Sequence, residues 1–212
     1  MPAPDRDVVI EELGKFSSLR TLAAAENNCR RCPLYLDATQ IVAGKGQSHA
    51  RVMLVGEQPG NDEDLAGEPF VGRAGRLLNS ALREAGLDRC KTFVTNAVKH
   101  FKFETRGKRR LHKRPSAREM LACRIWLVQE LRLVKPDVVV ALGATASRSL
   151  LGRPVIIARE RGKLQALSNE MQLLITIHPS SLLRAPDSEA RTAGFAQFVR
   201  DLKLCADYLA AA

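Results

Sequence analysis

Arg51-Val52-Met53-Leu54-Val55-Gly56-Glu57-Gln58-Pro59-Gly60 decides the fold. An unbroken apolar run ends abruptly in glycine and proline, the pattern of a short strand buried on both faces that gives way to a tight loop. Downstream, the spacing predicts a helix from Arg73 to Ala85 with Gly86 as its stop signal. Thr92 to Val98 reads as a second strand. Ser116-Ala117-Arg118-Glu119 is a capping box that opens a helix through Leu133, and Lys135-Pro136 closes it. A strand at Asp137 to Leu142, a helix at Ala144 to Leu151, a short strand at Val155 to Ala158, a strand at Gln172 to Ile177 and an amphipathic helix at Phe195 to Leu209 complete the pattern.

Strands separated by helices imply parallel pairing with right-handed crossovers. The expected fold is therefore α/β, a three-layer α/β/α domain around a central four-stranded, mainly parallel sheet. Ligands of such sheets bind beyond the carboxyl ends of the strands. Gly56 to Gly60, Asn96 and His178-Pro179-Ser180-Ser181 each lie at such an end, so three polar groups should converge on one crevice. With no linker, repeat or low-complexity stretch, residues 1–212 read as one domain with an ordered core over 8–209. Met1–Asp7 and Ala210–Ala212 are expected to fray.

A chain of 212 residues buries enough surface to hold a core without staples. Its 33 Lys and Arg against 23 Asp and Glu give a formal charge of +10, which favours nucleic acid or another anionic surface over a small neutral metabolite. No run of eighteen apolar residues exists, and Met1 to Ile10 carries acids and prolines where a signal peptide would be apolar. A cytoplasmic protein with no membrane partner is expected. The charge is also concentrated: eight Lys and Arg but one acid, Glu104, lie between Lys99 and Arg114, with His112 among them. A basic loop of this kind, about 104–114, repels itself and gains most on a phosphate backbone, where its imidazole could reach a nucleotide. Its bland alternative is a solvated basic face.

Five cysteines, an odd number without an export signal, argue against a disulfide framework. Cys29-Arg30-Arg31-Cys32 alone is ambiguous between a redox dithiol, half a zinc knuckle and a cluster ligand pair. It follows the apolar-periodic Phe16, Leu19, Leu22 and Ala23 and precedes Pro33, so it sits at a helix end, where cluster ligation fits better than a thioredoxin-type role.

Gly56-Glu57-Gln58-Pro59-Gly60, Pro69-Phe70-Val71-Gly72-Arg73-Ala74-Gly75, Thr95-Asn96, Val138 to Gly143 and His178-Pro179-Ser180-Ser181-Leu182-Leu183-Arg184 together resemble the uracil-DNA glycosylase superfamily, in its iron–sulfur family-four branch. The inserted Lys108-Arg109-Arg110-Leu111-His112 resembles the loop that marks the UdgX group within that branch, with Leu111 where that group usually carries Ile. The resemblance implies a glycosylase-like fold and, as substrate, uracil-containing DNA, with single strands favoured and the protein acting as a monomer. It also implies a four-iron four-sulfur (4Fe-4S) cluster on Cys29, Cys32, His100 and Cys123, with Cys90 as the alternative third ligand. Iron–sulfur centres accept imidazole as well as thiolate. Cys205 is expected to be simply buried.

Removing uracil from DNA needs the base out of the stack, an aromatic wall and a polar edge. Phe70 supplies the wall. Asn96 offers a donor and an acceptor to O4 and N3–H, a pattern that cytosine would answer wrongly. Gly56, His178 and main-chain N–H groups near Gln58 would hold O2, where negative charge grows as the glycosidic bond breaks. Lys108, Arg109, Arg110, Ser180, Ser181 and Arg184 would hold phosphates. In the UdgX pattern His112 is the nucleophile that becomes joined to the deoxyribose C1′, and Glu57 is its activator. Two alternatives remain at this level. One is an ordinary hydrolytic glycosylase in which Glu57 or a nearby acid orients water and His112 only touches DNA. The other is a non-catalytic nucleic-acid binder stapled by the cluster, which phosphate affinity alone would achieve without Glu57, Asn96 or His178.

Overall fold

Val52–Gly56 is a strand buried at every position, as an uninterrupted apolar run must be when helices cover both faces of a sheet. The computed structural model describes residues 16–211. In chain order its elements are α1 (Leu19–Glu26), β1 (Lys45–Gly46), β2 (Val52–Gly56), α2 (Asn61–Ala66), α3 (Arg73–Glu84), β3 (Thr92–Asn96), β4 (Phe103–Arg106) and β5 (Arg109–His112). There follow α4 (Ala117–Val134), β6 (Val138–Leu142), α5 (Ala144–Leu151), α6 (Ile157–Glu160), β7 (Leu164–Ala166), β8 (Gln172–Thr176) and α7 (Ser188–Ala211).

The main sheet has the order β1-β3-β2-β6-β8-β7. Its four inner strands are parallel, in register from Val52 against Thr92 and Val138 through to Leu142 against Thr176. This is the expected four-stranded parallel centre, extended by two short antiparallel edges, β1 and β7. Alternate residues face opposite layers. Val52, Leu54, Val94, Val138, Val140 and Leu174 pack with Leu78 and Leu82 of α3 and with Phe198 and Leu202 of α7. On the other face, Met53, Val55, Phe93, Val139 and Ile175 pack with Leu127 and Leu131 of α4 and with Ala146 and Leu150 of α5. A third, smaller cluster joins Leu22 of α1, Leu34, Val98 and Met120, Cys123 and Trp126 of α4.

The capping box is present: Ser116 N–H donates to Glu119 Oε2 and Ser116 Oγ accepts from Glu119 N–H. Gly86, at φ +79°, ends α3 with its neighbour Leu87 bonded back to Leu82, as the stop signal requires. Three expectations are corrected. Residues 157–160 form the helical turn α6 instead of a strand, because Ile156 N–H and Arg153 both bind the Glu160 carboxylate and close a turn. The basic loop is a two-stranded hairpin, β4 and β5, joined by Gly107-Lys108 with Gly107 at φ +59°. Ala210 and Ala211, expected beyond the ordered core, are the last residues of α7, and Ala212 lies outside the described residues. The expected frayed Met1–Asp7, and residues 8–15 of the expected ordered core, lie outside the described residues. Among those that are described, no helix is long and apolar enough to cross a membrane.

Candidate functional site

Parallel register sets Gly56 directly beside Asn96 at the carboxyl ends of β2 and β3. Only glycine fits at 56, since a Cβ there would lie 2.3 Å from Asn96 Oδ1 and 2.6 Å from Phe70 Cζ. The amide, the ring and the bare backbone therefore converge on one point. Asn96 is 2% exposed, and its Oδ1 has no hydrogen-bond partner. A buried acceptor left unpaired carries the desolvation cost without the bond. Phe70 closes the crevice from a left-handed backbone, φ +59°, that few non-glycine residues adopt. Its ring lies 5.9 Å from that of His178.

His178 follows β8. Its Nδ1 accepts from Ser180 N–H at 3.2 Å, so the ring proton of the neutral imidazole sits on Nε2. Burial, reinforced by nearby His112 and Arg184, pushes its pKa down to about 4. The residue is thus a neutral donor at physiological pH. Ser180 Oγ lies 2.8 Å from the same Nδ1, and Ser181 Oγ donates to the His178 carbonyl at 2.8 Å.

His112 ends β5, half-exposed, with its Nε2 3.6 Å from Glu57 Oε1. That distance is beyond a hydrogen bond but within reach of one small rotation. Burial lowers the His112 pKa, Glu57 opposes the shift, and Arg184 and Arg114 add to it. The other Glu57 oxygen, Oε2, accepts from Thr145 Oγ1 at the start of α5. Thr145 was not anticipated, although the rule that strand ends converge applies equally to β6, which precedes it.

The hairpin that carries His112 is anchored at its base and along one strand. Gln58 Nε2 donates to the carbonyls of Lys102 and Lys113, both at 3.1 Å, and Gln58 Oε1 accepts from Lys102 N–H. The Gln58 side chain thus ties down the hairpin, and the expected role of the main-chain N–H groups near it is separate from these bonds. Arg110, expected at a phosphate, makes intramolecular bonds. It binds Asp64 Oδ2 at 2.6 Å, Asn61 Oδ1 at 2.9 Å and Thr39 Oγ1 at 3.1 Å, and it lies over the rings of Phe101 and Phe103. Its Nε and Nη1 are thereby engaged within the protein. Lys108, Arg109 and Arg184 are exposed. The acidic run Asn61-Asp62-Glu63-Asp64, opposite in charge to the basic loop, was the signal that could have revealed this anchor.

The thiols gather on the other side of β3. Trp126 Nε1 donates to Cys29 Sγ at 3.1 Å, Lys99 N–H to Cys123 Sγ at 3.2 Å, and Arg31 reaches the carbonyl of Ala122 beside Cys123. Burial drives the Cys123 thiol up to about 12, and Cys29 and Cys32 each push it further in the same direction, so the three sulfurs feel one another. Among the described residues no three His, Cys, Asp or Glu side chains close on a single point as ligands of one ion would. A cubane needs no such point, because each ligand binds its own iron. His100, adjacent to Lys99, is buried; burial lowers its pKa and Asp64 opposes the shift. Cys90 precedes β3 and is exposed, at the opposite end of the strand from Cys123.

A family profile described as the Uracil DNA glycosylase superfamily matches residues 43–203. The chain is 39% identical over 182 residues to a Type-4 uracil-DNA glycosylase of Thermotoga maritima, covering 85% of this chain and 88% of that one. It is 35% identical over 178 residues to a protein of the same description from Pyrobaculum aerophilum, covering 79% and 86%. A third, from Archaeoglobus fulgidus, is 34% identical over 178 residues, covering 81% and 86%.

Proposed function

The chain belongs to the uracil-DNA glycosylase superfamily, and from that premise we propose that it excises uracil from DNA, favouring single strands, and then joins itself through His112 to C1′ of the abasic sugar. Asn96 and the Nε2–H of His178 receive the edge of the flipped base, with Phe70 against its face. As the C1′–N1 bond breaks, its electron pair leaves with uracil, and these donors carry the growing charge. The sugar becomes electron-poor at C1′. A ring nitrogen of His112 adds there, and the proton of the resulting imidazolium passes to Glu57, whose other oxygen Thr145 holds. The product has no Schiff-base route to release, so each molecule acts once.

The observation that carries this reading is the placement of His112 facing Glu57, on a hairpin anchored by Gln58 and Arg110 beside the Gly56, Asn96 and Phe70 crevice. A water-activating carboxylate alone would need no such anchored imidazole. We further propose that Cys29, Cys32, Cys123 and His100 hold a four-iron four-sulfur cluster. The three mutually interacting sulfurs suit that group, and bound there it would cross-link the end of α1 to α4.

The test is a uracil-containing single strand mixed with the protein, heated in detergent and run on a denaturing gel. A shifted band that requires uracil is expected. His112→Ser should abolish the band while water still releases an abasic product. Multiple turnover by the wild type without a shifted band overturns the covalent step and leaves a hydrolytic glycosylase.

A further inference from the structure

Lys99 has no solvent contact at all. Its ammonium donates to Glu130 Oε2 at 2.7 Å, to the main-chain carbonyl of Asn96 at 3.1 Å and to Thr95 Oγ1 at 2.5 Å. An ammonium has three donors, so all are spent. Glu130, equally buried, accepts through Oε1 from Thr95 Oγ1 at 2.9 Å and from Gly44 N–H at 3.1 Å. Lys99 is itself held from both sides, its N–H on Cys123 Sγ and its carbonyl accepting from Val42 N–H at 2.9 Å.

Stability alone does not account for such a pair, because the desolvation of two buried ions offsets their attraction and apolar replacements of similar volume often do as well. Its location is more informative. Two of the three bonds grip Thr95 and Asn96, the last two residues of β3, and Asn96 carries the buried acceptor with no partner. An orphan acceptor gains by turning toward any spare donor in the fold. Lys99, the cation nearest to it in the chain, has none to spare.

We propose that Lys99 is a positioning residue for base selection: its ammonium holds the Thr95 hydroxyl and the Asn96 main-chain carbonyl so that the Asn96 carboxamide stays turned into the crevice. This rests on the crevice being a uracil pocket. The ion-pair partner Glu130 keeps the ammonium aimed, and α4, which carries Glu130, supplies the rigid backing. The part of the substrate concerned is the base alone, since no bond in this set reaches a phosphate site.

The experiment compares the wild type with Lys99→Met combined with Glu130→Gln, which removes both charges yet keeps an acceptor for Thr95 and Gly44. Inhibition of excision by free uracil, the excision rate on a saturating strand and the affinity for a uracil-free strand are measured. The expected result is a weakening of uracil inhibition and a fall in rate of at least about tenfold each, with affinity for the uracil-free strand within about twofold of wild type. Inhibition and rate within about twofold of wild type overturn the proposal. So does a parallel loss of affinity for the uracil-free strand, which marks general damage. If the double variant does not fold, Thr95→Val, which deletes one anchor at the pocket and leaves the ion pair, must show the same selective weakening, and its absence overturns the proposal. A wild type that removes no uracil overturns the parent reading, whereas an active wild type beside an unaffected variant overturns this one alone.

Discussion

Asn96 holds a buried oxygen with nothing bonded to it, and that imbalance makes opposite demands on stability and activity. Asn96→Ala should leave the thermal midpoint unchanged or slightly raised, because an unpaid desolvation cost disappears, while excision loses about 2 kcal/mol or more of transition-state stabilisation. Paired melting and single-turnover measurements check both halves. His178 makes a demand on pH. Its pKa falls from the ordinary 6.5 to about 4 on folding, so between those values the unfolded chain binds the proton and the folded one does not. Stability is therefore full above pH 6.5 and declines toward pH 4 by roughly 3 kcal/mol, with His112, also lowered, acting in the same sense. Urea midpoints across that range should show the decline, and His178→Gln should flatten it. Individual residues of the crevice were legible because strand ends announce themselves: Gly56, Asn96 and His178 each close an apolar run. Thr145 was not, because a threonine at a helix start reads equally well as an ordinary surface residue.

The hairpin of β4 and β5 shows where elements escape a reading by hydrophobic pattern. Its outer residues, Arg106, Lys108 and Arg109, are charged, so no alternation of apolar and polar marks two strands; what holds them is Arg110 on Asp64 and Gln58 at the base. The one local signal of the turn is Gly107, at φ +59°. At Val155 to Ala158 the β-branched run suggests a strand, and the Glu160 carboxylate closes a helical turn instead. Because the hairpin lacks an apolar core of its own, its anchors decide where His112 sits. Arg110→Ala should accelerate amide exchange across residues 103–112 and cut the yield of covalent product by about 100-fold, as misplacement of a reacting group by an ångström does, while DNA binding is retained. A variant with an intact hairpin and full covalent yield would show that Gln58 alone suffices.

At the scale of the molecule, charge and cysteines set the next two outcomes. Lys108, Arg109 and Arg184 are exposed cations, and each phosphate contact to a single strand contributes about 0.7 to the salt dependence of binding. Lys108→Ala with Arg109→Ala should flatten the plot of log affinity against log salt by about 1.4, whereas Arg110→Ala should not change the slope. Purified protein should be brown, with iron and sulfide at about four each per chain. Cys123→Ser should bleach it and lower the melting point, because the third core around α1 loses its cross-link, whereas Cys90→Ser should keep the colour; zinc without sulfide would defeat the cluster reading. The parallel centre of the sheet was plain in the sequence, but its rims were not, since two residues at β1 and three at β7 are too few to leave a periodic trace. Those brief rims matter for how the protein behaves in a crowd. Four long parallel strands would offer any neighbouring chain a template of open ladder groups on each flank, the starting point for fibrous self-assembly. Here each flank is covered by a strand so short, and at β1 bearing an exposed lysine, that an incoming chain finds only a couple of rungs to grip.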